Sequence, residues 1–432
     1  MIKTIRRQLI LPKEFGLKSQ NYLKYFLIFT AWPVFSIGVS ITLFLFAFLI
    51  GEVKRRRGRN YLEGGQYGNR FYVFAAISLL SLLFAPWNQL EMSLAADIQL
   101  QIQYLYWMLV AVFFMNTYQY VNKDEFNKFV FIGLLLHTIH FFFFNVRLPI
   151  PFFRTSVSRN GYVYTLLALW PMASAHIYQQ YGRVKGNLSL ILIFLVMLLT
   201  DGRAGVVIIL IENLFIYPIY NKANAQLIRL ILIISIPLAL IVGPEIVNDE
   251  NRETLGNAVT PISSRIGGFI KGEGSDGDLT FDKSWLTRKL MIEKGREILT
   301  DYPFLGVGIG HYSEYHARLE SLNSPEFVRL TGSPEFDEAY YNHKSAHNSY
   351  VHLASEMGIL GFVSLLIILV PILYYAVKRL YTMTITRDEI ILISVVGICI
   401  HFYTITSLPG TVTWFVLGIA YGVVYHVKRK RA

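Results

Sequence analysis

The sequence predicts an all-α integral membrane protein with about twelve transmembrane helices and one large, mostly helical loop on the outer side. Three observations lead there. Apolar runs longer than about 18 residues recur along the whole chain. Basic residues collect in every second connection between those runs, as cytoplasmic loops require. One long polar segment, Pro244 to Met357, interrupts the pattern once. The composition agrees, with 53% hydrophobic residues and a mean hydropathy of +0.42. The alternating ten-residue segments of a membrane β-barrel are absent from the sequence. A net charge of +11 would point to nucleic acid in a soluble protein. Here it is spent on orientation in the bilayer, and no nucleic acid is expected.

The elements follow in order. Lys3, Arg6, Arg7, Lys13 and Lys18 precede the apolar stretch Tyr22–Gly51, and Lys54, Arg55, Arg56, Arg57 and Arg59 follow it. Basic clusters on both sides require an even number of crossings, so this stretch reads as two short helices broken near Pro33 to Gly38. The first apolar run is too long for a signal peptide and lacks a small-residue cleavage site. Further spans are expected at 71–87, 101–121, 129–146, 163–181, 188–200, 204–220, 227–243, 358–377, 389–407 and 412–427. Both termini then face the cytoplasm. So do Lys123 and Lys128, Arg183 and Lys185, Lys222 and Arg229, and Lys378, Arg379 and Arg387. The chain divides into a nine-span bundle (1–243), an extracytoplasmic loop domain (244–357) and three C-terminal helices (358–432). Cys399 is the single cysteine and lies in an apolar run, so no disulfide braces the loop.

The basic residues that break this rule carry the information. Arg147, Arg154, Arg159, Arg203, Arg265 and Arg288 all fall on the outer side. A polyanionic ligand there would account for them. Arg203 stands in Thr200-Asp201-Gly202-Arg203-Ala204-Gly205, a turn opening a helix, where backbone N–H groups, the helix dipole and a guanidinium fork favour an anion. Arg288 lies on an amphipathic helix, Trp285 to Leu299, on one face with Ile292, Gly295 and Leu299. An Arg aligned with apolar residues is expected to face the core or the membrane and to need an anionic partner. Gly306-x-Gly308-x-Gly310 follows. It is not a dinucleotide fingerprint, and it reads as backbone that packs closely against something. Asp276-Gly277-Asp278 reads as a flexible turn, and no metal ligand set or cofactor site is expected. His137, His140, His176 and His401 lie within spans, where packing is the expected role, and Glu212 is the main membrane-buried carboxylate.

The stretch His347 to Gly361 joins the polar segment to the next span. Read as a helix advancing about 100° per residue, it brings His347, Gly358 and Gly361 onto one face. His352 and Glu356 then point well away from His347, which makes a shared metal site and a second base both unconvincing. An imidazole at the membrane surface can exchange a proton near neutral pH.

His347-Asn348-x9-Gly358-x2-Gly361 resembles the motif of the O-antigen ligase and polymerase superfamily. The resemblance extends to the arginine turn at 201–203, which departs from the family pattern in its acidic Asp201. It also covers Arg288 followed by Pro303-Phe304-Leu305-Gly306-Val307-Gly308. It spans residues 160–377 by motif and the first 150 residues by layout only. What it implies is a metal-independent, inverting membrane glycosyltransferase of the C-type fold in the bacterial inner membrane. The donor would be a glycan on undecaprenyl diphosphate, and the acceptor a sugar hydroxyl of a glycolipid or glycan at the outer face. His347 would be the base, and Arg203 and Arg288 the diphosphate clamp. Arg154 or Arg159 would add a contact, Arg265 would be a weaker one, and Asn348 would orient base or sugar. The His-Asn-x9-Gly-x2-Gly form is closer to a ligase with a lipid A core acceptor; a polymerase shares the chemistry. A lipid-linked glycan flippase fits less well, because the arginines cluster at one surface instead of lining the spans.

Overall fold

The computed structural model describes residues 17–32, 38–57, 62, 65–86, 94–144, 158–200, 203–221, 257, 279–319, 342–404 and 410–431. Every regular element among them is helical: α1 (Leu17–Ala31), α2 (Gly38–Arg57), α3 (Gly65–Leu83), α4 (Leu94–Thr117), α5 (Lys123–Ile139), α6 (Arg159–Leu199), α7 (Arg203–Tyr220), α8 (Leu279–Asp301), α9 (Ser349–Tyr381), α10 (Ile391–Phe402) and α11 (Thr411–Arg431). Four helical stretches, Asp97–Tyr120, Lys123–Phe143, Arg159–Leu199 and Ser349–Tyr381, are long and apolar enough to cross a bilayer. Shorter apolar helices occupy Tyr67–Leu83, Ala204–Tyr220 and Thr411–Tyr425. Each expected span falls on a described helix except 227–243, which lies outside the described residues.

The first apolar stretch is two helices, as the flanking charges required. Tyr22 stacks on Phe48 and Phe26 meets Phe46, so α1 and α2 run antiparallel. The 41-residue α6 is likewise two helices. Asn213 accepts from Trp170 Nε1 and donates to Leu190 O, both at 2.9 Å. Those two residues would stand about 30 Å apart on a straight helix. The chain turns back at Gly182, whose φ of 80° is open to glycine.

Where backbones touch, glycine sits at the contact. Gly418 and Gly422 of α11 lie against the backbone of Ala111 and Met115 of α4, and Gly133 of α5 lies against Ile28 and Ala31 of α1. This is the small-residue packing by which helices associate where burial offers no gain over lipid.

The basic connections share one end of the bundle. Lys123 pairs with Asp388 at 3.3 Å, Arg387 lies over the Tyr220 ring, and Gln179 reaches Asp124 at 2.8 Å. Glu389 closes a capping box with Thr386 and binds Tyr375 and Arg379. These contacts gather the start of α5, the turn of α6, the end of α7 and the link between α9 and α10.

Candidate active site

The site is built where α8 meets α9. Gly295 of α8 lies against Val351 and Ser355 of α9. Beyond α8, residues 303–308 cross α9 at a break in it. Gly358 there has φ 63° and ψ −166°. Val307 N donates to Ser355 O at 3.0 Å and Gly308 N to Glu356 O at 2.9 Å, while Ile359 N donates to Pro303 O at 2.8 Å. The crossing backbone thus satisfies groups the break would otherwise leave unpaired. A Cβ on Gly306 would strike the backbone of Ser355 and Glu356, and one on Gly358 that of Phe304 and Leu305. This is the close packing expected of the Gly-x-Gly-x-Gly segment.

These contacts make α8 and α9 run the same way, so Arg288, two turns before Gly295, lies at the level of the α9 start. His347 stands there, half-buried, just before the helix. Burial, then the charges of Arg288 and Lys344, push its pKa below the ordinary imidazole value. The ring is held neutral, as a base must be before it acts.

Three expectations about this stretch need correction. His347 is not on the helix: α9 begins at Ser349, and His347 has φ 49°. It shares no helical face with Gly358 and Gly361, and α9 is itself broken between them. The physical reason is the cap. Asn348 accepts from Tyr350 N at 2.9 Å and Val351 N at 3.1 Å, and a helix starts after such a residue. Asn348 therefore has its side-chain oxygen committed to the backbone. Of the two surroundings expected for Arg288, the core is excluded: Arg288 is exposed, and Ile292 beside it is 47% exposed. The buried stripe of α8 runs through Leu290, Met291, Lys294 and Ile298, one position round from the expected face.

The other candidates converge on the same end from below. Gly205 of α7 lies against Val163 of α6, so Arg203 and Arg159 open two adjacent helices. Tyr164 bonds Thr413 and packs on His401 at the end of α10. Tyr350, near the start of α9, donates to Cys399 O at 3.0 Å in that same end. Arg159, Arg203, Arg288 and His347 therefore all stand at the end of the bundle opposite the basic connections. The side chain of Arg203, and all of Arg154, Arg265, Asp201, Asp276 and Asp278, lie outside the described residues. Among the described residues no cluster of three metal-ligating side chains occurs.

Several largely buried polar groups stand behind the site, and of these the sequence singled out only Glu356 and His352. Lys294 is fully buried, donates to Asn342 O and lies 4.8 Å from the centre of the Tyr312 ring. Burial pulls its ammonium down to about 7. Glu356, 2% exposed, pairs with His352 Nε2 at 3.2 Å and accepts from Tyr312 N. His311 pairs with Asp97 of α4 at 3.0 Å. The available signals were a lysine on the stripe of Met291 and Ile298, and a carboxylate inside an apolar run.

Residues 188–366 match the family model described as O-antigen ligase. No curated protein matches the chain.

Proposed function

Taking residues 188–366 as a domain of the O-antigen ligase superfamily, we propose that the chain transfers a glycan from undecaprenyl diphosphate to an acceptor sugar hydroxyl, with lipid A core as the favoured acceptor. The observation that carries this reading is the gathering of Arg159, Arg203, Arg288 and a neutral His347 at one end of the bundle. That end would face the outer side of the bacterial inner membrane.

The acceptor oxygen attacks the anomeric carbon as the bond to the diphosphate oxygen breaks, inverting the centre. The bond electrons leave with the diphosphate, and the hydroxyl proton passes to His347. Diphosphate is a good leaving group that needs charge stabilisation more than a proton. Guanidinium forks of Arg203 and Arg288 supply it. Arg288 is suited to the task, being exposed and making no salt bridge among the described residues. Arg159 adds a contact, and the masking of charge by the diphosphate explains why cations stand where the positive-inside bias disfavours them.

The test is a transfer assay with purified protein, an undecaprenyl-diphosphate-linked glycan and a core-oligosaccharide acceptor. Transfer that ceases in His347→Ala supports the reading; undiminished transfer overturns it. A deletion strain separates the two acceptors. Free lipid-linked long chains over bare core mean ligase, and single repeat units attached to core mean polymerase.

A further inference from the structure

Gly306, Gly308 and Gly310 have φ of 67°, 95° and 90°, so every second residue of this segment is left-handed. Alternation of this kind turns backbone N–H groups toward one side and makes a concave seat for an anion. Here the seat is filled from within the chain. Gly308 N donates to the backbone oxygen of Glu356 at 2.9 Å. Gly310 N and Tyr312 N donate to its carboxylate, the latter at 3.3 Å. Three alternate N–H groups thus end on one residue. Glu356 stands two residues before the break in α9, and His352 Nε2 lies 3.2 Å from the same carboxylate oxygen that accepts from Tyr312 N. Tyr312 in turn donates to Met291 O of α8 at 2.6 Å.

We infer that Glu356 is a positioning residue: the turn through Gly308, Gly310 and Tyr312 holds it by its backbone oxygen and its carboxylate and thereby fixes α8 against α9, setting the separation of Arg288 from His347. The inference deepens the proposed function, since it rests on His347 and Arg288 acting together.

The proton affinity of His347 reads that separation. Its ring feels Arg288 from α8 and Lys344 from its own loop, and both depress it. Lys294 acts on His352, and Glu356 acts on Tyr104 and Tyr312; none of them acts on the His347 ring. Letting α8 drift would weaken the Arg288 effect and raise the His347 pKa. Glu356 is not among the charges that act on the His347 ring, so Glu356→Gln with no movement would leave that pKa where it is.

The experiment follows diethyl pyrocarbonate labelling of His347 against pH by peptide mass spectrometry, in the full-length protein in detergent. In Glu356→Gln the labelling midpoint rises; a midpoint that stays or falls overturns the inference. Gly310→Ala attacks the same seat from the other side, since φ 90° strains any side chain while the added Cβ meets only the end of Leu100. It moves the midpoint the same way, and serves alone if Glu356→Gln does not accumulate. In the transfer assay Glu356→Gln lowers kcat by about tenfold or more with the donor KM within about twofold; full kcat overturns the positioning role. Labelling needs no glycan, so a failure of the transferase reading would show only in the transfer assay.

Discussion

Replacing Gly358 with Ala tests whether the break in α9 is built as described. At φ 63° and ψ −166° a side chain costs about 1–3 kcal/mol in backbone strain. The added Cβ falls on backbone atoms of Phe304 and Leu305, which cannot swing aside as a flexible side chain would. Relief requires the crossing segment to lift. That loses the bonds from Ile359 N to Pro303 O (2.8 Å) and from Leu360 N to Phe304 O (3.3 Å). Each buried group left unpaired costs about 1–3 kcal/mol. The sum, about 3–9 kcal/mol, is a large share of the roughly 5–15 kcal/mol that holds a typical protein folded. Thermal unfolding in detergent, followed by tryptophan fluorescence, should show a drop of several degrees and a loss of cooperativity. Gly51→Ala is the control. Nothing lies within 4 Å of its Cβ, and in a helix Ala is favoured over Gly by up to about 1 kcal/mol. A Gly358→Ala protein that melts with wild type and retains activity would refute the account of the break.

His347→Ala should lower the transfer step by about 10²–10⁴-fold while lipid-linked donor still binds, measured by single turnover beside a donor-binding assay. Because the His347 pKa is depressed, wild-type activity should hold on acidification past about 6.5 and fall only below it. Lys344→Ala, which removes one depressing charge, should move that fall to higher pH. Arg288→Lys should lose most activity in the same assay, since a point ammonium cannot reproduce a bidentate contact. Single cysteines placed at Asn342 and at Arg183, in a Cys399→Ser background, should be labelled by an impermeant maleimide from opposite sides of sealed vesicles.

The helices were legible because lipid demands long apolar runs, and loop charge assigned their ends without any knowledge of contacts. The split of Tyr22–Gly51 into two helices followed from charge alone, and α1 and α2 bear it out. The hairpin within α6 was legible from Arg183 and Lys185, which cannot lie inside a span. What failed was local. Treating His347 as helical missed Asn348, a strong N-cap whose side chain ends the helix one residue short of the imidazole. The same error measured the directions of Glu356 and His352 from a helix that had not begun, and so missed that the two side chains meet each other. Arg288 was assigned to the wrong edge of its stripe because Lys294, a charged residue, takes the buried position. Periodicity counts apolar residues, and it cannot see a lysine held inside by a carbonyl and an aromatic face.

The break in α9 also bears on the order in which the chain assembles. The partners of Ser355 O, Glu356 O and Ile359 N are residues 303–308, made some fifty residues earlier in synthesis. In lipid those groups find no water, and each left alone costs several kcal/mol. On the proposed orientation, the interrupted ladder of α9 can close as it leaves the ribosome only if the earlier segment has already reached the far side and waits there. Lateral release of α9 into the bilayer is therefore coupled to export of the preceding loop. A chain stalled with that loop still in the cytoplasm would hold α9 back with it.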